Sequence, residues 1–292
     1  MSDNGVYRPA ALSEAFPPEG YSAHRAPGEP VPEQSQDESI CADRAETPVS
    51  RRLVATGNFF FKYRNVGLPL VFCSLAFGTK PTVPGGSRRL DLTLDAVGIA
   101  IGLAGQLLRI LVIGFAYIKR GGRKKHVYAE TLVQEGFFAH CRNPLYLGNI
   151  LTVVGLAMIH NGVWLYLVGI PFFLLVYASI TAAEEDYLQK KFGRPYEDYC
   201  ERVPRFAISF KGLGKTLKGM KYDWRKTIRK EYGSTFTFLT LVLALLGWEA
   251  IAFDGFQSAR GRLVLLTLVW IPTLMAYCSA RIAKKAGVLG KD

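Results

Sequence analysis

Three short stretches hold the residues whose types and spacing could do chemistry. In the first, Gly136 permits a turn, Arg142 and Asn143 follow, and Pro144 and Tyr146 open an apolar run. Proline suits the first turn of a helix, where its missing N–H costs nothing, and Asn143 before it stands at the N-cap. Free backbone N–H groups beside an arginine can hold an anionic or polar ligand group. A capped helix with an interfacial arginine and a belt tyrosine would show the same residues without a ligand. The second stretch is Glu184, Glu185 and Asp186 at the end of a later apolar run. Adjacent helical positions point about 100° apart, so the three cannot share one site. At least one turns back toward the bundle, where a carboxylate suits a cation or an amine; a solvated stop to the run is the alternative. In the third, Phe192 and Gly193 read as a glycine-capped helix end, and Pro195 restarts a helix. Tyr196, Tyr199, Cys200 and Val203 then fall at i, i+3, i+4 and i+7, one amphipathic face, and Pro204 stops it. Such a helix lies on the membrane face, either over the neighbouring spans or as an anchor.

Other patterns fail. The five cysteines (41, 73, 141, 200, 278) form no CxxC pair, so neither a disulfide framework nor a zinc site is expected. The four histidines (24, 126, 140, 160) lack metal-ligand spacing, and no metal is expected; His140 is an interfacial candidate only. Gly212, Gly214, Lys215 and Thr216 resemble the end of a phosphate loop, but Ser209 stands where its first glycine belongs. No glycine-rich dinucleotide fingerprint follows a strand, so a nucleotide-like cofactor must be held in another way.

The elements that must position these groups are apolar blocks. The residues AVILMFWYC make up 49% of the 292 and 21% are charged, which excludes a chain disordered throughout. The formal charge is +12; residues 1–50 contribute nine Asp/Glu and three Arg, or −6, leaving +18 for residues 51–292. Hydropathy assigns that basic excess to a membrane surface, and no nucleic-acid partner is expected. Six blocks qualify as spans of about 20 residues or close to it: 66–78 (extended through 59–61), 92–118, 144–159, 163–183, 235–253 and 263–283. The expected fold is all-α, a polytopic membrane bundle of about six transmembrane helices with interfacial cytoplasmic helices. Segment 184–233 holds thirteen Lys/Arg, against three in 79–91 and two in 254–262. The basic segments 119–143 and 184–233 are therefore expected in the cytoplasm, with both termini and the candidate site. Gly98 and Gly102 form a GxxxG pattern in the second span, beside Asp95, Gln106 and Arg109. Polar groups so placed line a cavity or glue helices together. Residues 1–50, rich in proline and acid, are expected to be a disordered tail. Residues 207–233 are expected to be a basic cytoplasmic linker on anionic headgroups, and 234–292 a transmembrane hairpin.

Two of these stretches resemble a family. Leu132, Val133, Gly136, Arg142, Asn143, Pro144, Tyr146 and Gly148 match the first motif of the membrane methyltransferases typified by isoprenylcysteine carboxyl methyltransferase and the phospholipid N-methyltransferases. Glu184, Glu185, Leu188, Phe192, Gly193, Tyr196, Tyr199, Val203, Pro204, Arg205 and Phe206 match their ending. The likeness covers residues 132–206, within a methyltransferase-like domain of 51–206. It implies S-adenosylmethionine as methyl donor and a lipophilic acceptor from the membrane: a lipid amine, or an isoprenoid thiol or carboxyl. It implies that Leu132 and Val133 meet the donor through their backbone. Phe138, Asn143, Pro144 and Tyr146 would line its pocket, and Glu184 would face its amino or ribose groups. Arg142 would suit its carboxylate, and Glu185 would act as base toward an amine acceptor. The sequence departs from the family in Asn143 for a histidine, Phe138 for a tyrosine, and Ile180 where an arginine would hold a substrate carboxylate. Tyr199, Cys200, Val203 and Pro204 also echo NADPH-dependent sterol and enone reductases of membranes, and a non-enzymatic membrane protein is the third alternative.

Overall fold

The computed structural model describes residues 48–115, 120–123, 126–129 and 131–290. The acidic tail lies outside these residues, apart from 48–50.

Among the described residues the chain is built of helices, as its apolar blocks require, with one small antiparallel hairpin. In order they are α1 (Pro48–Gly78), α2 (Arg88–Phe115), β1 (Arg120–Arg123), β2 (His126–Ala129), α3 (Pro144–His160), α4 (Ile170–Phe192), α5 (Arg194–Arg202), α6 (Leu213–Lys218) and α7 (Trp224–Lys285). β1 and β2 pair with Arg120 opposite Ala129 and Arg123 opposite His126. A π-helical turn, Leu165–Gly169, leads into α4.

Segments Arg88–Phe115, Leu165–Phe192 and Trp224–Lys285 are long and apolar enough to cross a membrane; Pro144–His160 is apolar but shorter. α1 begins 18 residues before Val66, where the first apolar block was expected to start, so the Lys62-Tyr63-Arg64-Asn65 interruption is helical. One face of α1 buries Phe61, Leu68, Phe72 and Ala76 at spacings of seven, four and four, while Phe59, Val66 and Leu70 face outward. α7 is too long for one span. At Gly255 its backbone turns to φ 73, ψ 159, a conformation that favours glycine. The legs 224–254 and 256–285 then run back along each other. Tyr277 stacks on Phe236 at 4.4 Å, Trp270 Nε1 donates to Thr240, and Arg229 donates to the carbonyl of Leu289.

α2 and α3 meet along a seam of small residues. A Cβ on Gly98 would lie 2.6 Å from the Gly155 carbonyl oxygen, and one on Gly105 would lie 2.6 Å from that of Gly148. Contact this close replaces side-chain interdigitation with backbone packing, as is common between helices in lipid.

Two ends of the bundle are distinct. At one, Asn161 donates to the Thr82 carbonyl, Trp248 donates to the Thr79 carbonyl, and Arg88 lies over the Phe253 ring. At the other, the Arg142 backbone N–H donates to Pro204 and that of Ser209 to His140. Tyr222 packs on Phe115 there, also at the basic end.

Candidate functional site

The two motif segments are bound to each other rather than merely adjacent. Gly136, at φ 63, turns the chain into a short 3₁₀ segment, Gly136–Ala139, from which Arg142, Asn143 and α3 follow. α5 covers that segment. Its buried Tyr199 donates to the Phe138 carbonyl at 2.8 Å, and Tyr196, Tyr199 and Val203 form one buried cluster with Leu188 and Ala129. The expected amphipathic face therefore points inward, onto the motif loop. Burial raises the Tyr196 phenol above its ordinary range, and the nearby Glu185 charge adds to this.

Asn143 precedes α3 but does not cap it. Its side chain bonds no helix N–H; the amide donates to the Arg205 carbonyl at 3.2 Å, tying the first motif to the second. His140 is buried in the same junction, between the Ser209 carbonyl (2.8 Å) and the Thr216 hydroxyl (3.0 Å). It is a structural histidine, and the glycine-lysine stretch 212–216 is a short helix docked on it.

The three acids separate as their helical angles require. Glu184 turns inward, accepting a 2.6 Å hydrogen bond from the Tyr146 hydroxyl. That hydroxyl accepts from Arg64 of α1 at 2.8 Å, and Arg64 lies 3.8 Å from Glu184. Glu185 turns to the α5 side, 2.8 Å from Arg205 and 3.4 Å from Arg142. Asp186 pairs with Lys190 on the surface. Arg142 also donates to Cys200 Sγ; burial works against its charge, but the nearby Glu185 carboxylate outweighs this and raises its guanidinium above the usual value. Burial pushes the neighbouring Cys141 thiol up, which makes it inert rather than nucleophilic.

Behind Tyr146 lies a cavity of about 1100 Å³. Its basic-end wall includes Phe138, Arg142, Asn143, Pro144, Lys226 and Lys230; its middle holds Arg64, Tyr146, Tyr177 and Glu184; its far wall is Leu68, Phe72, Leu156 and Phe173. From Pro144 to Leu156 the cavity follows α3 for about 18 Å, at 1.5 Å per residue. Glu184 is the only carboxylate among the described lining residues, and no histidine or cysteine is among them. Tyr146 and Tyr177 stand 5.8 Å apart, ring centre to ring centre.

Of the residues singled out by sequence, Phe138, Arg142, Asn143, Pro144, Tyr146 and Glu184 come together around this cavity. Leu132, Val133 and Glu185 do not line it. Leu132 packs on the α5 cluster and Val133 on the cluster of Val112, Phe137 and Phe138. Glu185 is paired with Arg142 and Arg205. Ile180, where an arginine was sought, is wholly buried in the apolar core. The sequence reading missed Arg64, Tyr177, Lys226 and Lys230. Only Tyr177 left a signal: it stands seven residues before Glu184, two turns along the same face.

Arg109, costly inside a span, forms a bidentate pair with Glu231, Nε to Oε2 at 3.0 Å and Nη2 to Oε1 at 2.8 Å, and also donates to Asn149. It thus both joins α2, α3 and α7 and borders the cavity.

The two motif segments thus border one cavity, polar at one end and apolar at the other, within a bundle of apolar helices. The family match gives this arrangement a name. The phospholipid methyltransferase family matches residues 96–195. The cobalt-zinc-cadmium resistance protein CzcN of Cupriavidus metallidurans is 30% identical over 156 residues, 52% of this chain and 67% of that protein. The nickel-cobalt-cadmium resistance protein NccN of Alcaligenes xylosoxydans xylosoxydans is 30% identical over 115 residues, 39% of this chain and 48% of that one. Protein-S-isoprenylcysteine O-methyltransferase B of Arabidopsis thaliana is 32% identical over 116 residues, 37% of this chain and 55% of its own. The chain thus spans about half to two thirds of the length of these relatives. No solved structure matches. The chain belongs to the phospholipid and isoprenylcysteine methyltransferase-like family of membrane proteins.

Proposed function

We propose that the protein transfers a methyl group from S-adenosylmethionine to a lipophilic acceptor, at a site built by the cavity between α1, α3, α4 and α7. The observation that carries this is the Arg64–Tyr146–Glu184 chain of hydrogen bonds in the cavity wall, where the family's two motifs meet.

The residues present fit such a donor. It is cationic at sulfur and amine and anionic at its carboxylate, and the cavity offers one carboxylate, two facing tyrosine rings and a rim of Lys226 and Lys230. When bound, it would supply an electrophilic methyl group on a sulfonium. Glu184, Tyr146 and Phe138 would hold it; Arg142 serves by keeping Glu185, Cys200 and the motif loop in place. Asn143 contributes the Arg205 link rather than acid–base chemistry, since an amide cannot act as a base at neutral pH. The apolar wall of Leu68, Phe72, Leu156 and Phe173 would take the acceptor's tail and keep water out. Positioning the reactants supplies most of the rate in such a transfer. An amine acceptor must lose a proton, and Glu184, as a carboxylate of the cavity lining, would take it. Glu185, the base expected from the motif, faces away from the cavity.

The protein is read as a multi-pass membrane protein with both termini and the site in the cytoplasm, the acceptor coming from the lipid. The absence of histidine and cysteine from the described lining makes the cavity a poor carrier of soft metal ions.

The test is thermal stability of the detergent-purified protein with S-adenosylmethionine, S-adenosylhomocysteine or NADPH. A ligand that binds only the folded state must raise the melting point. Stabilisation by the first two and not the third is the expected result. Stabilisation by NADPH alone would replace this reading with the reductase one, and no response to any of the three would favour a non-enzymatic role.

A further inference from the structure

The second buried polar cluster lies at the other end of the bundle. Asp91 and Asp95 stand one turn apart on α2, and Glu249 faces them from the first leg of α7, six residues before the bend. One carboxylate oxygen from each lies within 4.8 Å of the other two. All three side chains are buried, at 0%, 6% and 2% exposure. Asp91 spends Oδ2 on Arg88 at 2.6 Å, but Asp91 Oδ1, Asp95 Oδ1 and Glu249 Oε1 have no hydrogen-bond partner among the described residues. Were all three ionised against the one guanidinium, the formal charge would be −2 in a buried site. Unmatched buried charge of that kind is costly unless a partner ion neutralises it.

We propose that Asp91, Asp95 and Glu249 form a binding site for one hard divalent cation (Mg²⁺, Mn²⁺ or Ca²⁺) that pins α2 to the first leg of α7. The ligand set is all oxygen, which selects such ions over those that prefer thiolate or imidazole. The spacing fits: oxygens held about 2.1–2.6 Å from one ion can be no more than about 5 Å apart. The site is distinct from the methyl-transfer cavity, since Asp95 is 14 residues, or about 21 Å of helix, from Arg109. The helices it joins also contribute to the cavity wall, through Gln106 and Arg109 of α2 and Phe238 and Leu241 of α7. The separation of 154 residues between Asp95 and Glu249 hid the cluster from sequence spacing.

The experiment uses the full chain purified in detergent and stripped with chelator. Thermal unfolding is followed on adding MgCl₂, MnCl₂, CaCl₂ or ZnCl₂, and bound Mn²⁺ is counted by electron paramagnetic resonance. The expected result is a melting point raised by at least one of the first three, with one Mn²⁺ per chain. Asp95→Asn and Glu249→Gln should weaken the apparent Mn²⁺ affinity tenfold or more, while Asp254→Asn, in an exposed pair with Arg262, leaves it unchanged. Without metal, Asp95→Asn should melt no lower than the parent, because an amide needs no counter-ion; this separates loss of the ion from loss of the fold. A cation response that persists in both variants would overturn the proposal. So would the lack of any response together with a melting point that falls as pH rises, the mark of carboxyls sharing protons. Binding of S-adenosylhomocysteine is expected to survive Asp95→Asn, so failure here and failure of the methyltransferase reading are told apart.

Discussion

At the residue scale, the two neighbouring glutamates have different neighbours and so different expected phenotypes. Glu184 accepts from Tyr146 in the cavity wall, and Tyr146→Phe removes both that donor and the acceptor used by Arg64. A hydrogen bond to a charged group contributes about 1.5–3 kcal/mol. Tyr146→Phe should therefore lower the melting point by several degrees and also weaken S-adenosylhomocysteine binding, measured by titration calorimetry. Glu184→Gln should weaken it at least as much. Glu185→Gln leaves Arg142 and Arg205 without their shared counter-ion. Breaking a buried pair costs about 3–5 kcal/mol; with Arg205 partly exposed, a loss of about 1–3 kcal/mol in stability is expected, with donor affinity changed less than by Glu184→Gln. Equal loss of donor binding in both variants would restore Glu185 as a site residue. The motif residues were legible because their chemistry is local: a turn glycine, a helix-start proline and an acid pair declare themselves within a few positions. Arg64 was not, because its partner Tyr146 is 82 residues away and the run around it was read as the border of a span.

At the element scale, close contact between helices decides stability. A Cβ on Gly155 would sit 2.4 Å from the Gly98 carbonyl oxygen, and backbone cannot give way as a flexible side chain does. Gly155→Leu should force α3 off α2, costing more than the 1–3 kcal/mol or so of ordinary overpacking. The expected readout is a melting point lower by many degrees, or no folded protein. Gly261→Ala meets nothing within 4 Å and should be neutral. The GxxxG pattern announced half of this seam; the facing glycines of α3 were unmarked, since packing partners are chosen by topology and not by spacing. The same holds for α7: a basic stretch was read as linker, yet it contains α6 and the opening of α7. There Glu231 meets Arg109, and only the tertiary contact explains why an acid stands among lysines. Tyr199 belongs to this scale as well, because its hydroxyl fastens α5 to the motif loop. Tyr199→Phe removes the hydrogen bond to the buried Phe138 carbonyl, which costs about 0.5–1.5 kcal/mol, and should lower the melting point and loosen donor binding together.

At the scale of the whole molecule, charge and contacts sort the chain into two ends. The loop 79–91, the turn at 160–162 and the bend at Gly255 meet at one end, and the motif loop, α5, α6 and the start of α7 meet at the other. The first group of segments carries few Lys/Arg, three in 79–91 and two in 254–262, while 184–233 carries thirteen. Positive charge stays on the cytoplasmic side of a membrane, so the cavity's polar end, with Lys226 and Lys230, should open there. That is also the side on which a water-soluble methyl donor is at hand. Single cysteines in a background lacking the native ones test this in intact cells. Gly85→Cys should react with a membrane-impermeant maleimide from outside, and Lys218→Cys should react only once the membrane is made permeable. The reverse pattern would turn the site outward and leave a cytoplasmic donor with no way in. Labelling of both positions from one side would break the two-ended arrangement itself.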